Sequence, residues 1–497
     1  MSETHYQAVL DDKLEDLPST GLGHSETPVL HRRSSSVSSL KSEGFQYIPP
    51  WTTPYVIGIG GPSGSGKTSV AAKIVSSINV PWTVLVSLDN FYKPLTPEER
   101  KEAFQNNYDF DHPSAIDLDL AYKCISSLKA GKKTSIPVYS FVEHNRVPNK
   151  SINIYGASVI VLEGIYALHD KRLLDLMDLK IYVDADLDVC LARRLSRDIV
   201  SRGRELQGCL LQWEKFVKPN AARYVKNTME SADAIIPSLT DSTVAVELLI
   251  NHIKSKLQEK SEGHLRELIK LGSYGSKPIH EISSVHELEK TNQVRSIMTM
   301  LLDKTLKQDD FVFYFDRIAT ILLSKVLDHL PVSQRTTIET PSGSVVEDAP
   351  QCNFDQVTAI NLIRSGDCFV ASLKHTIPDI PLGKLLIQSD SQTGEPQLHC
   401  EFLPPNIHKY ETVLLVEGQI ISGAAMIMAV QVLLDHGVPM ERIKIVVYLA
   451  TELGVRRIMN GFRRKVEVFA GAIVKKEDIH SNSWAKSRFV DSKYFGC

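Results

Sequence analysis

Val56-Ile-Gly-Ile59-Gly-Gly61-Pro62-Ser63-Gly64-Ser65-Gly66-Lys67-Thr68-Ser69 decides how the first half of this chain folds. An apolar run suited to a buried strand leads into the pattern G-x-x-x-x-G-K-[ST], and Ser69-Val-Ala-Ala-Lys-Ile-Val continues with helical spacing. Glycines let backbone N–H groups converge on phosphate oxygens, and the helix that follows presents its positive end. Lys67 adds a mobile cation, and the Thr68 hydroxyl can ligate Mg²⁺. The loop Gly61 to Ser69 is therefore the expected phosphate site. It marks a nucleoside triphosphate site without saying what is done there, because motor proteins, GTPases and small-molecule kinases share it.

Outward from this loop, short apolar runs alternate with amphipathic helical stretches, the texture of a parallel sheet with crossover helices. Strands are expected at Val56–Ile59, Val84–Leu88, Val159–Leu162, Leu179–Val183 and Ala234–Ile236. Two of these runs end in an acid. Asp89 follows Val84-Leu-Val-Ser-Leu88, and Glu163 follows Val159-Ile-Val-Leu162. In parallel sheets the carboxyl ends of the strands face the ligand crevice. Asp89 is thus placed to take a proton from an attacking hydroxyl, and Glu163 to reach Mg²⁺. Five arginines, at 193, 194, 197, 202 and 204, crowd a segment of helical pattern and its exit. Cations of this kind neutralise the charge that spreads over a transferred phosphoryl group, so the segment reads as a closing lid. Two further segments, Tyr108-Asp-Phe-Asp-His-Pro113 and Ile136-Pro-Val-Tyr-Ser-Phe-Val-Glu-His144, mix aromatics with acids and a histidine. Such a mixture can stack a heterocycle and bind a ribose, although Tyr139 and Phe141 read singly are core residues.

The chain has 497 residues, more than one hydrophobic core sustains, and is 43% hydrophobic and 23% charged. Its formal charge of −3 supplies no field for nucleic acid or anionic lipid. Neither partner is expected. Seven scattered cysteines without a Cys-x-x-Cys pair fit reduced thiols. The apolar stretch Ala424–Leu434 is too short for a membrane span and reads as a buried helix. No signal or transit pattern opens the chain, so the expected address is the cytoplasm, with the nucleus as a second location. Residues 1–46 are Ser-rich and poor in large apolar residues, hence a disordered tail, with Arg32-Arg-Ser-Ser-Ser36 open to a basophilic kinase. A first globular domain is expected over 47–255, a linker over 256–285 where Lys254–Glu262 loses its apolar face, and a second α/β domain over 286–497. In the second domain, strands are expected at Val357–Ile363, Leu382–Ile387, Thr412–Val416, Ile443–Leu449 and Val466–Phe469, with a helix over Phe311–Leu327.

The first domain resembles the uridine–cytidine kinases throughout. The phosphate loop, Ser87-Leu-Asp-Asn-Phe-Tyr92, Phe110-Asp-His-Pro113, Pro137-Val-Tyr-Ser-Phe141, Leu162-Glu-Gly-Ile165 and Arg202-Gly-Arg204 stand in that family's order. The resemblance implies a parallel-sheet kinase domain of the P-loop NTPase type, with ATP as donor, GTP as an alternative donor and Mg²⁺ as cofactor. By it, Asp89 is the base on the nucleoside 5′-hydroxyl, and Thr68 and Glu163 help hold the metal. Asp111 takes the ribose hydroxyls, while Tyr92, Tyr139, Phe141 and His144 surround the pyrimidine. Arg204 and Gln212 complete the nucleoside pocket, and Arg197 reaches phosphate from the lid. The implied reaction is phosphorylation of uridine and cytidine in pyrimidine salvage, by a homo-oligomer for which a tetramer is expected.

The second domain resembles the uracil phosphoribosyltransferases in Phe311–Arg317, Ile363–Asp367, Gln392–Pro396, Leu449–Gly454 and Tyr494–Gly496. An α/β phosphoribosyltransferase-like fold is implied. The chemistry-bearing positions depart from that family. Its diphosphate loop has Asp and then Thr-Gly-Gly-Ser, where this chain has Glu417 and then Ser422-Gly-Ala-Ala425. An arginine is replaced by Ser389, and a Gly-Asp pair is missing before Phe489. A catalytically inactive domain, serving assembly or nucleotide sensing, is the expectation; a second transferase activity is the alternative.

Overall fold

The computed structural model describes residues 47–497 except 79, 81–82, 201–204, 239–242, 274–277, 333, 390–394, 476–486 and 497. The Ser-rich tail, Arg202 and Arg204 lie outside the described residues. The described residues form two compact units, Pro49–Ser261 and a second that begins at Glu262 and also takes in Tyr47 and Ile48. Among the described residues no helix is long and apolar enough to cross a membrane.

In the first unit, β1 (Tyr55–Gly60), β2 (Thr83–Ser87), β5 (Val159–Glu163), β6 (Leu179–Asp184) and β7 (Ala234–Pro237) make a sheet in the order β2-β5-β1-β6-β7. Every pairing is parallel. Every residue of β1 and β5 is buried, which is why both read as unbroken apolar runs rather than alternating ones. The same unit contains helices α1 (Lys67–Ile78), which packs on the sheet, α2 (Pro97–Phe104), α3 (Leu118–Lys129) and α4 (Leu187–Val200), and the short α5 (Leu206–Gln212). The hairpin β3 (Thr134–Ser140) and β4 (Asn145–Ile154) is antiparallel and separate from the main sheet. Register aligns the functional strand ends: Glu163 pairs with both Ser87 and Ile59, so the acid of β5 stands beside the exits of β2 and β1.

The expected linker is helical over much of its length. Helix α6 runs from Thr243 to Ser273 without a break, and the two compact units divide within it, between Ser261 and Glu262. Ile253, Ser261, His264, Leu268 and Leu271 are buried at helical spacing. The buried face thus continues through a serine and a histidine, where the apolar pattern of the sequence lapses. Bonding explains the buried histidine: Nε2 of His264 lies 2.8 Å from the Tyr47 hydroxyl and Nδ1 lies 2.8 Å from Glu395.

The second unit is built on a sheet ordered β13-β12-β11-β14-β15-β16-β8, formed by β8 (Val285–Glu287), β11 (Val357–Ile363), β12 (Leu382–Ser389), β13 (Pro396–Phe402), β14 (Thr412–Ile420), β15 (Ile443–Thr451) and β16 (Glu467–Val474). Only β13 runs antiparallel to its neighbour. Helix α7 (Asn292–Leu302) supplies Val294, Ile297 and Leu301 to the core, and α8 (Gln308–Leu327) supplies Phe311, Phe315 and Leu322. Helix α9 (Ala424–Asp435) is the buried helix expected from its apolar run, and α10 (Glu452–Gly461) follows β15. A second hairpin, β9 (Gln334–Glu339) with β10 (Val345–Gln351), is largely exposed.

Candidate active site

A cavity of about 300 Å³ opens at the carboxyl edge of the first sheet. The phosphate loop forms one wall. Gly61 (φ +141°) and Gly64 (φ +87°) adopt backbone conformations that side chains resist, and a Cβ on either would stand 2.4 Å from a carbonyl oxygen, of Val183 and Cys190 respectively. Close packing of the loop against its neighbours therefore demands these glycines. Lys67 is buried and donates from Nζ to the Pro62 carbonyl at 2.8 Å. Burial pulls its pKa down, and the nearby charges of Glu163 and Asp89 oppose that.

The two strand-end acids converge on this lysine. Asp89 sits one residue into the 3₁₀ turn Leu88–Phe91, with its N–H donating to Ser87 Oγ at 3.4 Å. Glu163, at the end of β5, is 6% exposed, and Thr68 Oγ1 donates to its Oε2 at 3.2 Å. A hydroxyl and a carboxylate paired beside a phosphate loop are hard oxygen donors of the kind Mg²⁺ takes, so these residues fit that ion.

Aromatic rings line the far side. Tyr92 lies 5.1 Å from Tyr139 and 5.9 Å from Phe110, centroid to centroid, and Tyr139 lies 5.4 Å from Phe141. The His144 imidazole stacks on Phe110 at 5.1 Å with planes 24° apart. Tyr139 is at once a core residue and a cavity wall. Arg146 fastens the β3–β4 hairpin to the turn after Asp89, donating to the Tyr92 carbonyl at 2.8 Å and pairing with Asp117 at 3.3 Å. Burial raises the Tyr92 phenol well above its usual pKa, helped by Asp89 and Asp111, so it stays a neutral hydrogen-bonding group.

The arginine segment separates into distinct roles. Arg194 is buried; it donates to Ser63 Oγ at 2.9 Å and lies 3.5 Å from Asp111 and 3.6 Å from Asp198. Burial alone would lower its pKa, but Asp111 and Asp198 more than offset this and hold the charge. Arg193 clamps Ser238 and reaches the Ser65 carbonyl. Arg197 lines the cavity, yet its side chain is 42% exposed and bonds Asp198 at 2.9 Å. The sequence put Arg197 on phosphate; the arginine locked against the loop is Arg194. Gln212 also lines the cavity and donates to Asn106 at 3.1 Å. Thus Lys67, Thr68, Ser69, Asp89, Tyr92, Asp111, Tyr139, Phe141, His144, Glu163, Arg197 and Gln212 all border one space. Arg194, Tyr108 and Phe110, which the sequence singled out only as members of the arginine and aromatic segments, border it too, and so does Phe216, to which sequence reasoning gave no role. Phe216 stands one helical turn beyond Gln212, a spacing that could have found it.

In the second unit, the loop expected to carry a diphosphate is bonded to residues of the surrounding elements. Glu417 is buried, 3.8 Å from Arg488, and the next N–H, of Gly418, donates to Ser365 Oγ at 3.0 Å. Burial pushes the Glu417 carboxyl up to about 8, with Arg488 pulling it down and Asp491 pushing it further up. The carbonyl of Ser422 accepts from Arg457 at 3.0 Å, and that of Ile421 accepts from Thr451. Asp367 is held by Lys384 and Asn361, each at 3.2 Å.

Comparison with known proteins agrees with this division. Residues 56–245 match the model of the Phosphoribulokinase / Uridine kinase family, and residues 288–480 match that of Uracil phosphoribosyltransferase. The chain is 70% identical to the uridine kinase of Saccharomyces cerevisiae, over 93% of this chain and 92% of that protein. It is 39% identical to uridine-cytidine kinase-like 1 of Mus musculus, over 90% and 82% respectively, and 38% identical to the uridine kinase of Schizosaccharomyces pombe, over 91% and 97%. This chain thus carries a parallel-sheet kinase unit followed by a phosphoribosyltransferase-like unit, and it belongs to the uridine kinase family.

Proposed function

We propose that the chain transfers the γ-phosphoryl group of ATP to the 5′-hydroxyl of uridine and cytidine, giving UMP and CMP. The observation that carries this reading is the single cavity in which a phosphate loop, an acid at each of two strand ends and an aromatic-lined recess meet. The aromatic recess takes the pyrimidine, with His144 and Gln212 supplying polar contacts, and Asp111 accepts from the ribose hydroxyls. Asp89 then removes the proton of the 5′-hydroxyl as it attacks. Lys67 leaves the Pro62 carbonyl for the phosphate oxygens, and Lys67 with Arg194 offsets the charge on the transferred group. Thr68 and Glu163 would hold Mg²⁺, which would supply charge neutralisation to the triphosphate. The aromatic walls exclude water, so that the nucleoside rather than solvent receives the phosphoryl group.

For the second unit we propose that transferase turnover is absent. Supporting this, Glu417 is buried against Arg488 rather than standing open to a ribose, and the position of the loop's last hydroxyl is Ala425. One product assay tests both readings. Purified protein given uridine and ATP should form UMP; given uracil and phosphoribosyl diphosphate, it should form none. UMP from the second pair, or none from the first, overturns the corresponding reading.

A further inference from the structure

The base-reading end of the cavity depends on a turn that is held from outside. Phe141, Val142, Glu143 and His144 join β3 to β4, Val142 and Glu143 are exposed, and His144 has a left-handed backbone (φ +50°) that is uncommon in non-glycine residues. Helix α2 contacts this turn at two points. Its start is fixed by a capping box in which Thr96 and Glu99 bond each other's backbone. One turn on, Arg100 Nε donates to the Glu143 carbonyl at 2.9 Å, and the guanidinium lies 5.8 Å from the Phe104 ring. Phe104, at the helix end, meets the His144 imidazole edge-to-face at 5.2 Å, so the histidine is braced by Phe104 as well as by Phe110. Phe104 is 58% exposed, and neither it nor Arg100 borders the cavity.

We propose that Arg100 and Phe104 are positioning residues for the nucleoside: helix α2 clamps the β3–β4 turn so that His144 is preset to face the base. This rests on the reading that the cavity binds a pyrimidine nucleoside. A preset turn lowers the ordering cost of binding, so the clamp acts on nucleoside affinity and leaves the transfer step alone.

The test compares Arg100→Ala, Phe104→Ala and His144→Ala in the full chain. The clamp predicts that each raises KM for uridine and cytidine by about five- to thirtyfold, with kcat at saturating nucleoside within about twofold for the two α2 variants and KM for ATP unchanged. Phe104→Tyr should restore the wild-type KM, and Phe104→Ala should add less than about twofold on a His144→Ala background, since both act on one contact. An unchanged KM in Arg100→Ala and Phe104→Ala, beside a raised one in His144→Ala, overturns the clamp. An unchanged KM in His144→Ala overturns the base-contact reading beneath it. A parallel fall in kcat for both α2 variants also overturns the clamp, as it would mark a general structural role; Phe104→Leu repeats the measurement should the alanine variant melt early.

Discussion

The substitution Glu417→Gln should stabilise the second unit at alkaline pH and leave it unchanged in acid. The carboxyl ordinarily titrates near 4.5 and is pushed up to about 8 by burial. Between those values the folded protein holds a proton that the unfolded chain has lost, so stability falls as pH rises through this window. At about 1.4 kcal/mol per pH unit, the span from 4.5 to about 8 amounts to about 5 kcal/mol by pH 9, with the opposing pull of Arg488 already included. The substituted amide would be neutral throughout and mimic the protonated acid. Calorimetric melting of the full chain from pH 5 to 9 reads the effect: for a unit of this size each kcal/mol is about 2–4 °C. The variant should match the wild type near pH 5 and melt about 10 °C higher at pH 9. Asp491, also raised by burial, leaves some slope in both proteins, so the difference between the two curves is the quantity to follow. Parallel curves across the range would refute the claim that Glu417 is sealed inside.

Other perturbations test the kinase unit and the contacts of helix α6. Arg194→Ala strips a buried cation from Asp198, which is 1% exposed, and from Asp111, and should cost about 3–5 kcal/mol in chemical denaturation together with a large loss of turnover; a wild-type denaturation midpoint would contradict the pairing. Gly64→Ala combines φ +87° with a Cβ 2.4 Å from the Cys190 carbonyl and should abolish ATP binding in titration calorimetry, whereas nucleotide affinity near wild type would show that the loop tolerates a different path. Tyr47→Phe removes the hydroxyl facing His264 and should lower stability by about 1–2 kcal/mol, read by denaturation at neutral pH.

The two sheets could be read from the sequence because parallel strands buried on both faces carry unbroken apolar runs, as in residues 159–162 of β5 and 445–450 of β15. The hairpins could not. Asn145–Ile154 carries Arg146, Pro148, Lys150 and Ser151, and Val345–Gln351 is almost wholly exposed, so neither offers a core-facing pattern to detect. The helix through 256–273 was hidden because a buried serine and a histidine stand where apolar residues are expected. At the site, motif spacing located the loop, and strand-end position located Asp89 and Glu163. Arg194 and Arg197 look alike along the chain; only the packing of Arg194 against Ser63 and Asp111 distinguishes them. The Arg100–Glu143 and Phe104–His144 contacts join segments some forty residues apart, and no local pattern announces them.

The central claim, that Asp89 activates the nucleoside hydroxyl, is tested most directly by single-turnover phosphoryl transfer from ATP to uridine in the wild type and in Asp89→Asn, with uridine saturating in both. Loss of the base should slow transfer by about 10²–10⁴-fold. A variant that keeps more than half the wild-type rate would contradict it.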